Sequence, residues 1–144
     1  MDKCIQGYYS NIKAHALRLL PEMDLYQEII NYLNTNNIRA ACILSCVGSL
    51  KKINIRTATG FNFIEREECY EIVSLVGSIS CDRCHVHICL SDKEGKTLGG
   101  HLMRDGNIVF TTAEIVIGEL SNLEFSEEKC EKSGWPELKI KQNK

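Results

Sequence analysis

The sequence predicts an α+β domain with a mostly antiparallel sheet. One segment alone has strong helical periodicity. Seven or eight short segments read as strands, and the turns between them are too short for crossover helices. His15-Ala-Leu-Arg-Leu-Leu20 reads as the first strand and Pro21 ends it. Asp24 then offers a side-chain oxygen to a helix start, with Gln27 three residues on in a capping-box pattern. Leu25, Ile29, Tyr32 and Leu33 recur at helical spacing, and Asn34-Thr-Asn-Asn37 stops the helix. Ile38 to Val47 is an apolar run, which predicts a strand buried on both faces. Gly48-Ser49 reads as a turn into the half-exposed strand Ile53–Thr57. Gly60 to Glu68 is polar, a loop or short strand. Tyr70–Val76 is a strand ending at Gly77, and Cys84–Leu90 is the next. The turn Asp92-Lys-Glu-Gly95 leads back through Lys96–Leu102, and Asp105-Gly-Asn107 turns into a long β-rich segment reaching Ile117. Residues Glu119 to Lys132 are polar and acidic, and Trp135–Ile140 adds an edge strand. There is room for a second short helix before Gly118 or in the acidic tail. No internal repeat, low-complexity tract or linker interrupts the chain.

Length and charge bound the function. A chain of 144 residues makes one domain. Its 44% apolar content with a net charge of −2 favours collapse over disorder. The 17 basic residues are dispersed, whereas a phosphate footprint needs them clustered. Lys51 and Lys52, with the tail lysines Lys139, Lys141 and Lys144, are the nucleic-acid candidates, and they would need assembly into a ring. No apolar stretch approaches the roughly 20 residues of a membrane span, and the N-terminus lacks a signal-peptide core. An intracellular, reducing location, cytoplasmic or nuclear, is therefore expected. The eight cysteines are accordingly expected as free thiols. Cys42, Cys46 and Cys89 sit in apolar runs, where a thiol packs as a small hydrophobe.

The chemistry concentrates in three of the four histidines: His85, His87 and His101. A His-x-His pair on a strand puts both imidazoles on one face. A hairpin centred on Glu94, with Gly95 at positive φ, sets Cys89 opposite Gly99 and His87 opposite His101. Opposed residues share a face, so all three imidazoles converge. Three histidines with an open fourth position suit a reactive zinc site, with another divalent transition metal as the alternative. Gly99 and Gly100 would let a ligand or another backbone come close. Two rival readings use Cys81-Asp-Arg-Cys84-His85: a c-type haem attachment, and a structural zinc on Cys81, Cys84 and two histidines.

The motifs in order are Leu17-Arg-Leu-Leu-Pro-Glu-Met-Asp-Leu25, Val47-Gly-Ser-Leu50, Tyr70-Glu-Ile-Val-Ser-Leu-Val-Gly77, His85-Val-His87, Gly99-Gly-His-Leu102, Thr111-Thr-Ala-Glu-Ile-Val-Ile-Gly118 and Gly134-Trp-Pro-Glu-Leu138. With them the chain resembles the PPC domain (plant and prokaryote conserved) in its prokaryotic-type form, which carries a "DNA-binding" label. The resemblance implies an antiparallel sheet with flanking helices, similar in fold to acetolactate decarboxylase with its three-histidine zinc. It also implies a homotrimer and metal binding at His85, His87 and His101. The expected organisation is an N-terminal segment over 1–14, a PPC domain over 15–140 and a short basic tail over 141–144. The Arg-Gly-Arg-Pro-type AT-hook that contacts DNA in the plant members is missing.

Three functions follow as expectations. The first is a metal-dependent small-molecule enzyme or binder. Arg56 or Arg104 would meet an anionic substrate, and Glu114 or Glu71 would act as general acid or base. The second is a DNA-binding or transcription-associated protein. The third is an interaction module in which assembly matters and the metal is incidental.

Overall fold

The computed structural model describes residues 6–143, so Cys4 and Lys144 lie outside the described residues. β1 (Ile12–Leu19) leads to α1 (Leu25–Thr35). Asp24 caps that helix, its carboxylate accepting from the Tyr26 and Gln27 amides at 3.0 and 3.1 Å. The Gln27 side chain does not complete a capping box; it donates to the Arg104 carbonyl. Leu25, Ile29 and Leu33 form the buried stripe of α1, which packs against the sheet.

The remaining elements are all strands: β2 (Ala41–Arg56), β3 (Phe63–Arg66), β4 (Tyr70–Ser80), β5 (Arg83–Ser91), β6 (Thr97–Leu102), β7 (Ile108–Leu120), β8 (Leu123–Lys129) and β9 (Pro136–Gln142). This corrects the expected fold class. The chain is 59% strand and 8% helical, an antiparallel β structure with a single helix among the described residues. No flanking set of helices is present among the described residues, and neither place proposed for a second helix holds one. In the acidic tail Leu123 and Phe125 are buried and Glu124 faces outward, a period of two that suits a strand. Lys141 and Lys139 of β9 answer Glu124 and Glu128 of β8 at 3.3 and 2.9 Å.

The main sheet runs β1-β7-β2-β4-β5-β6, and β6 pairs back onto β2, so β2, β4, β5 and β6 close into a ring. Closure removes sheet edges there. It depends on the length of β2, which passes straight through the expected Gly48-Ser49 turn. Gly48 instead marks a bulge: its φ is 150°, and a Cβ there would lie 2.0 Å from the Thr112 carbonyl oxygen of β7. The strand therefore bends without ending. Its first half pairs β4 and β7, and its last residues, Ile55 and Arg56, pair Leu102 and His101 of β6. Ile53, Ile55, Leu75, Val86, Ile88, Leu90 and Leu102 fill the core with α1. β8 and β9 form a separate hairpin seated on a smaller cluster around Ala40, Leu123 and Phe125. No helix among the described residues is long and apolar enough to cross a membrane. The seven described cysteines are all free, as expected.

Candidate metal centre

The β5–β6 hairpin has the register that turn arithmetic predicts. His87 faces His101, Cys89 faces Gly99, and Gly95 takes a φ of 78° in the turn. Val86, Ile88 and Leu90 are buried, so His85 and His87 project from the opposite, outer face of β5. One potential ligand atom from each of His85, His87 and His101 lies within 4.8 Å of the others. The ring centroids are 5.0 to 5.7 Å apart.

Gly99 and Gly100 make room for neighbouring backbone. A Cβ on Gly100 would stand 2.4 Å from the Arg56 carbonyl oxygen, and one on Gly99 2.6 Å from the Ile88 carbonyl oxygen. Small residues at these positions let β6 fit between β5 and β2, which brings His101 opposite Arg56.

The donor set fits a divalent transition metal. His85 Nε2 and His87 Nε2 are 3.2 Å apart. A tetrahedral ion with metal–nitrogen bonds of about 2.0–2.1 Å sets adjacent ligand nitrogens about 3.3 Å apart. His101 Nδ1 is buried without a hydrogen-bond partner. Burial, reinforced by Arg56 and the other two histidines, pushes the His101 pKa down to about 4. Burial, then the Arg83 charge and His87, also lowers that of His85. Both shifts favour the neutral imidazole that a metal requires. Arg83 Nη2 lies 3.1 Å from His85 Nδ1 and can only donate, so in this arrangement the His85 proton sits on Nε2, between the two rings, and a metal bound at Nε2 would have to displace that proton.

The cysteine alternatives do not reach this point. Cys84 points to the core side of β5, and burial raises its thiol to about 12. Cys81 Sγ accepts from Arg39 at 3.4 Å. Both line the cleft but neither joins the histidine group: residues 84 and 85 face opposite sides of one strand, and Cys81 lies before β5.

The cluster opens onto a cleft of about 1090 Å³. Of the sequence candidates, Arg56 and Arg104 line it. Glu114 is exposed on β7 between Arg18 of β1 and Val47 of β2, and Glu71 is exposed on β4; neither borders the cleft. Lys51 pairs with Glu22, and Lys52 with Glu67 at 3.4 Å, both away from the cleft. The fourth histidine, His15, is tied between the Tyr32 hydroxyl and the Glu119 carboxylate, each at 2.9 Å.

The structure adds cleft residues that sequence reasoning missed: Arg83, Glu127, Trp135 and Glu137. Arg83 donates to the Ser78 hydroxyl at 2.8 Å and its Nε approaches Glu127 at 3.5 Å. Its signal was the period of two, which sets residue 83 on the face of His85 and His87. The other three come from the β8–β9 hairpin and had no local signal. Trp135 stands with its ring centroid 5.7 Å from the Arg56 guanidinium carbon.

Comparisons with known proteins agree with this architecture. Bifunctional protein GlmU of Synechococcus sp. (strain JA-3-3Ab) is 37% identical over 130 residues, covering 90% of this chain. The chain spans about a fifth (21%) of that relative's length. A hypothetical protein from Salmonella cholerae-suis superposes with a TM-score of 0.92 at 37% identity, over 95% of this chain and 99% of the other. A metal-containing protein from Archaeoglobus fulgidus gives 0.77 at 27% identity, over 93% and 99%. A candidate DNA-binding protein from Bacteroides thetaiotaomicron, 18% identical with a TM-score of 0.78 over 90% and 96%, shares the fold. The family model described as the Plants and Prokaryotes Conserved (PCC) domain matches residues 6–121. Those residues run from before β1 to the end of β7 and hold the closed ring with all three clustered histidines, and the chain belongs to the PCC domain family, the PPC family its motifs resemble.

Proposed function

We propose that His85, His87 and His101 hold a divalent transition metal, zinc in the first place, and that the cleft above it binds a small molecule, as a binder or a metal-dependent enzyme. The observation that carries this reading is the convergence of three imidazoles at one point of the sheet, with a buried, unpartnered nitrogen on His101. The description of the Archaeoglobus protein as metal-containing supports it. A metal bound there supplies Lewis-acid polarisation of a coordinated oxygen. The chain's own residues shape the rest. β5 and β6 fix the ring positions, and the hairpin residues Glu127 and Trp135 wall the cleft. Elemental analysis of purified protein tests the metal. About one equivalent per chain is expected, lost in His87→Ala and retained in Cys81→Ser. Wild-type protein that holds no metal and takes up none from added zinc overturns the reading.

The chain is also proposed to self-associate, as a trimer by family resemblance. Adjacent strands β7, β2 and β4 expose Phe110, Leu44, Val47 and Val73, each 45–59% accessible, an apolar surface suited to further copies. DNA binding is the second reading, favoured by the description of the Bacteroides fold neighbour. Its test is a DNA titration at low salt, where the phosphate contribution is strongest. Absence of binding there removes it.

A further inference from the structure

We propose that Arg56 anchors an oxyanion, the carboxylate or phosphate group of a small ligand, beside the histidine cluster, and that Trp135 holds its guanidinium in place. The inference deepens the small-molecule reading above and rests on that cleft being the binding site.

Register places the group. Arg56 of β2 is opposite His101 of β6, which is opposite His87 of β5, so one row across three strands carries a guanidinium and two imidazoles on the same face. Arg56 is also uncommitted. It takes part in none of the ion pairs among the described residues, and neither does Arg104. The acidic groups in the cleft are largely engaged elsewhere: Asp82 meets Arg39 at 3.0 Å and Glu127 meets Arg83 at 3.5 Å. Glu137 is then the one unpaired carboxylate against two unpaired guanidiniums among the described cleft residues. The lining holds three arginines and three carboxylates, so a divalent ion on the histidines would tip the cleft positive, and an excess of one sign concentrates ligands of the other.

The guanidinium is flanked on two sides. The Trp135 ring lies 5.7 Å away, within cation–π range. The turn containing Gly60 comes so close that a Cβ there would sit 2.9 Å from Arg56 Nη1. The planar fork of this arginine matches the two oxygens of a carboxylate or phosphate. Arg104, on the Tyr26 side of the cleft, adds a second positive charge.

Trp135 is the chain's one tryptophan, so its fluorescence reports directly on this corner. The experiment titrates inorganic phosphate and, separately, succinate into the full-length protein. Zinc-loaded and metal-free samples are followed by Trp135 emission and by calorimetry. A saturable response to at least one anion is expected. Arg56→Gln should weaken it about tenfold or more, and Arg56→Lys, which keeps the charge without the fork, should weaken it less. The zinc content of both variants should stay at the wild-type level. A response to phosphate alone assigns a phosphate ester, and a response to succinate alone assigns a carboxylate. Wild-type protein silent to both anions, or Arg56→Gln binding within about twofold of wild type by calorimetry, overturns the proposal. Failure of the metal reading would show separately, as zinc uptake absent from every sample. The metal-free titrations, judged by the same tenfold criterion, would then still decide the role of Arg56.

Discussion

His101 joins two physical effects in one side chain. Opposite His87 and Arg56, it sits close enough to other nitrogens to serve as a ligand and is buried enough to resist protonation. Its pKa is about 4 in the folded chain, against an ordinary value of 6.5. Between those values the unfolded chain binds the extra proton, so stability rises with pH through the window and falls on acidification. Metal-free protein should therefore have a lower urea midpoint at pH 4.5 than at pH 7. Part of that difference should vanish in His101→Gln, where no imidazole remains to titrate. An identical pH dependence in the two proteins would remove His101 as the cause. At this scale the sequence was informative where spacing is periodic. His85, His87 and, in hindsight, Arg83 follow from the alternation of a strand, and His101 from the arithmetic of one turn. Glu127 and Trp135 could not be read so. They reach the cleft from a hairpin tens of residues away, and no local period links them to the histidines.

Among the elements, β2 decides how the sheet closes. Its apolar first half was legible as a strand, but glycine followed by serine carries the same local signal whether the chain turns or bulges. What distinguishes the two is β7, whose backbone passes against Gly48, and that contact is invisible in the sequence. Gly48→Ala tests the bulge. The new methyl would meet the Thr112 carbonyl oxygen at a backbone φ that L-residues rarely adopt. A loss of about 2–3 kcal/mol is expected, read as a fall of several degrees in Tm. An unchanged Tm would mean that β2 can pass this point without the bulge. Helix α1 was read correctly because its signals are local: Asp24 at the cap, and Leu25, Ile29 and Leu33 on one face. The second helix was misjudged because polarity alone does not separate an exposed hairpin from a helix. Glu124 and Glu128 of β8 suit a strand because each reaches a lysine of β9 in an ion pair.

For the whole molecule, the exposed apolar side chains of β7, β2 and β4 make assembly the natural expectation. Val47, 59% accessible on the central strand of that group, is the place to test it. Val47→Asp should lower the mass measured by light scattering towards the 16.3 kDa of a single chain, while metal content, set on the β5–β6 hairpin, stays constant. A wild-type protein that already runs at 16.3 kDa would dismiss self-association. The molecule is also built in two pieces. The histidines belong to the closed ring within the matched residues 6–121, whereas Glu127, Trp135 and Glu137 belong to a hairpin that starts after that span and forms its own sheet. Its fasteners, Leu123 and Phe125, sit apart from the histidines and from the main core. The hairpin is thus a separate wall of the cleft: recoding Trp135 would change what the cleft accepts, whereas Glu127 reaches the histidines through Arg83 and would have to be kept.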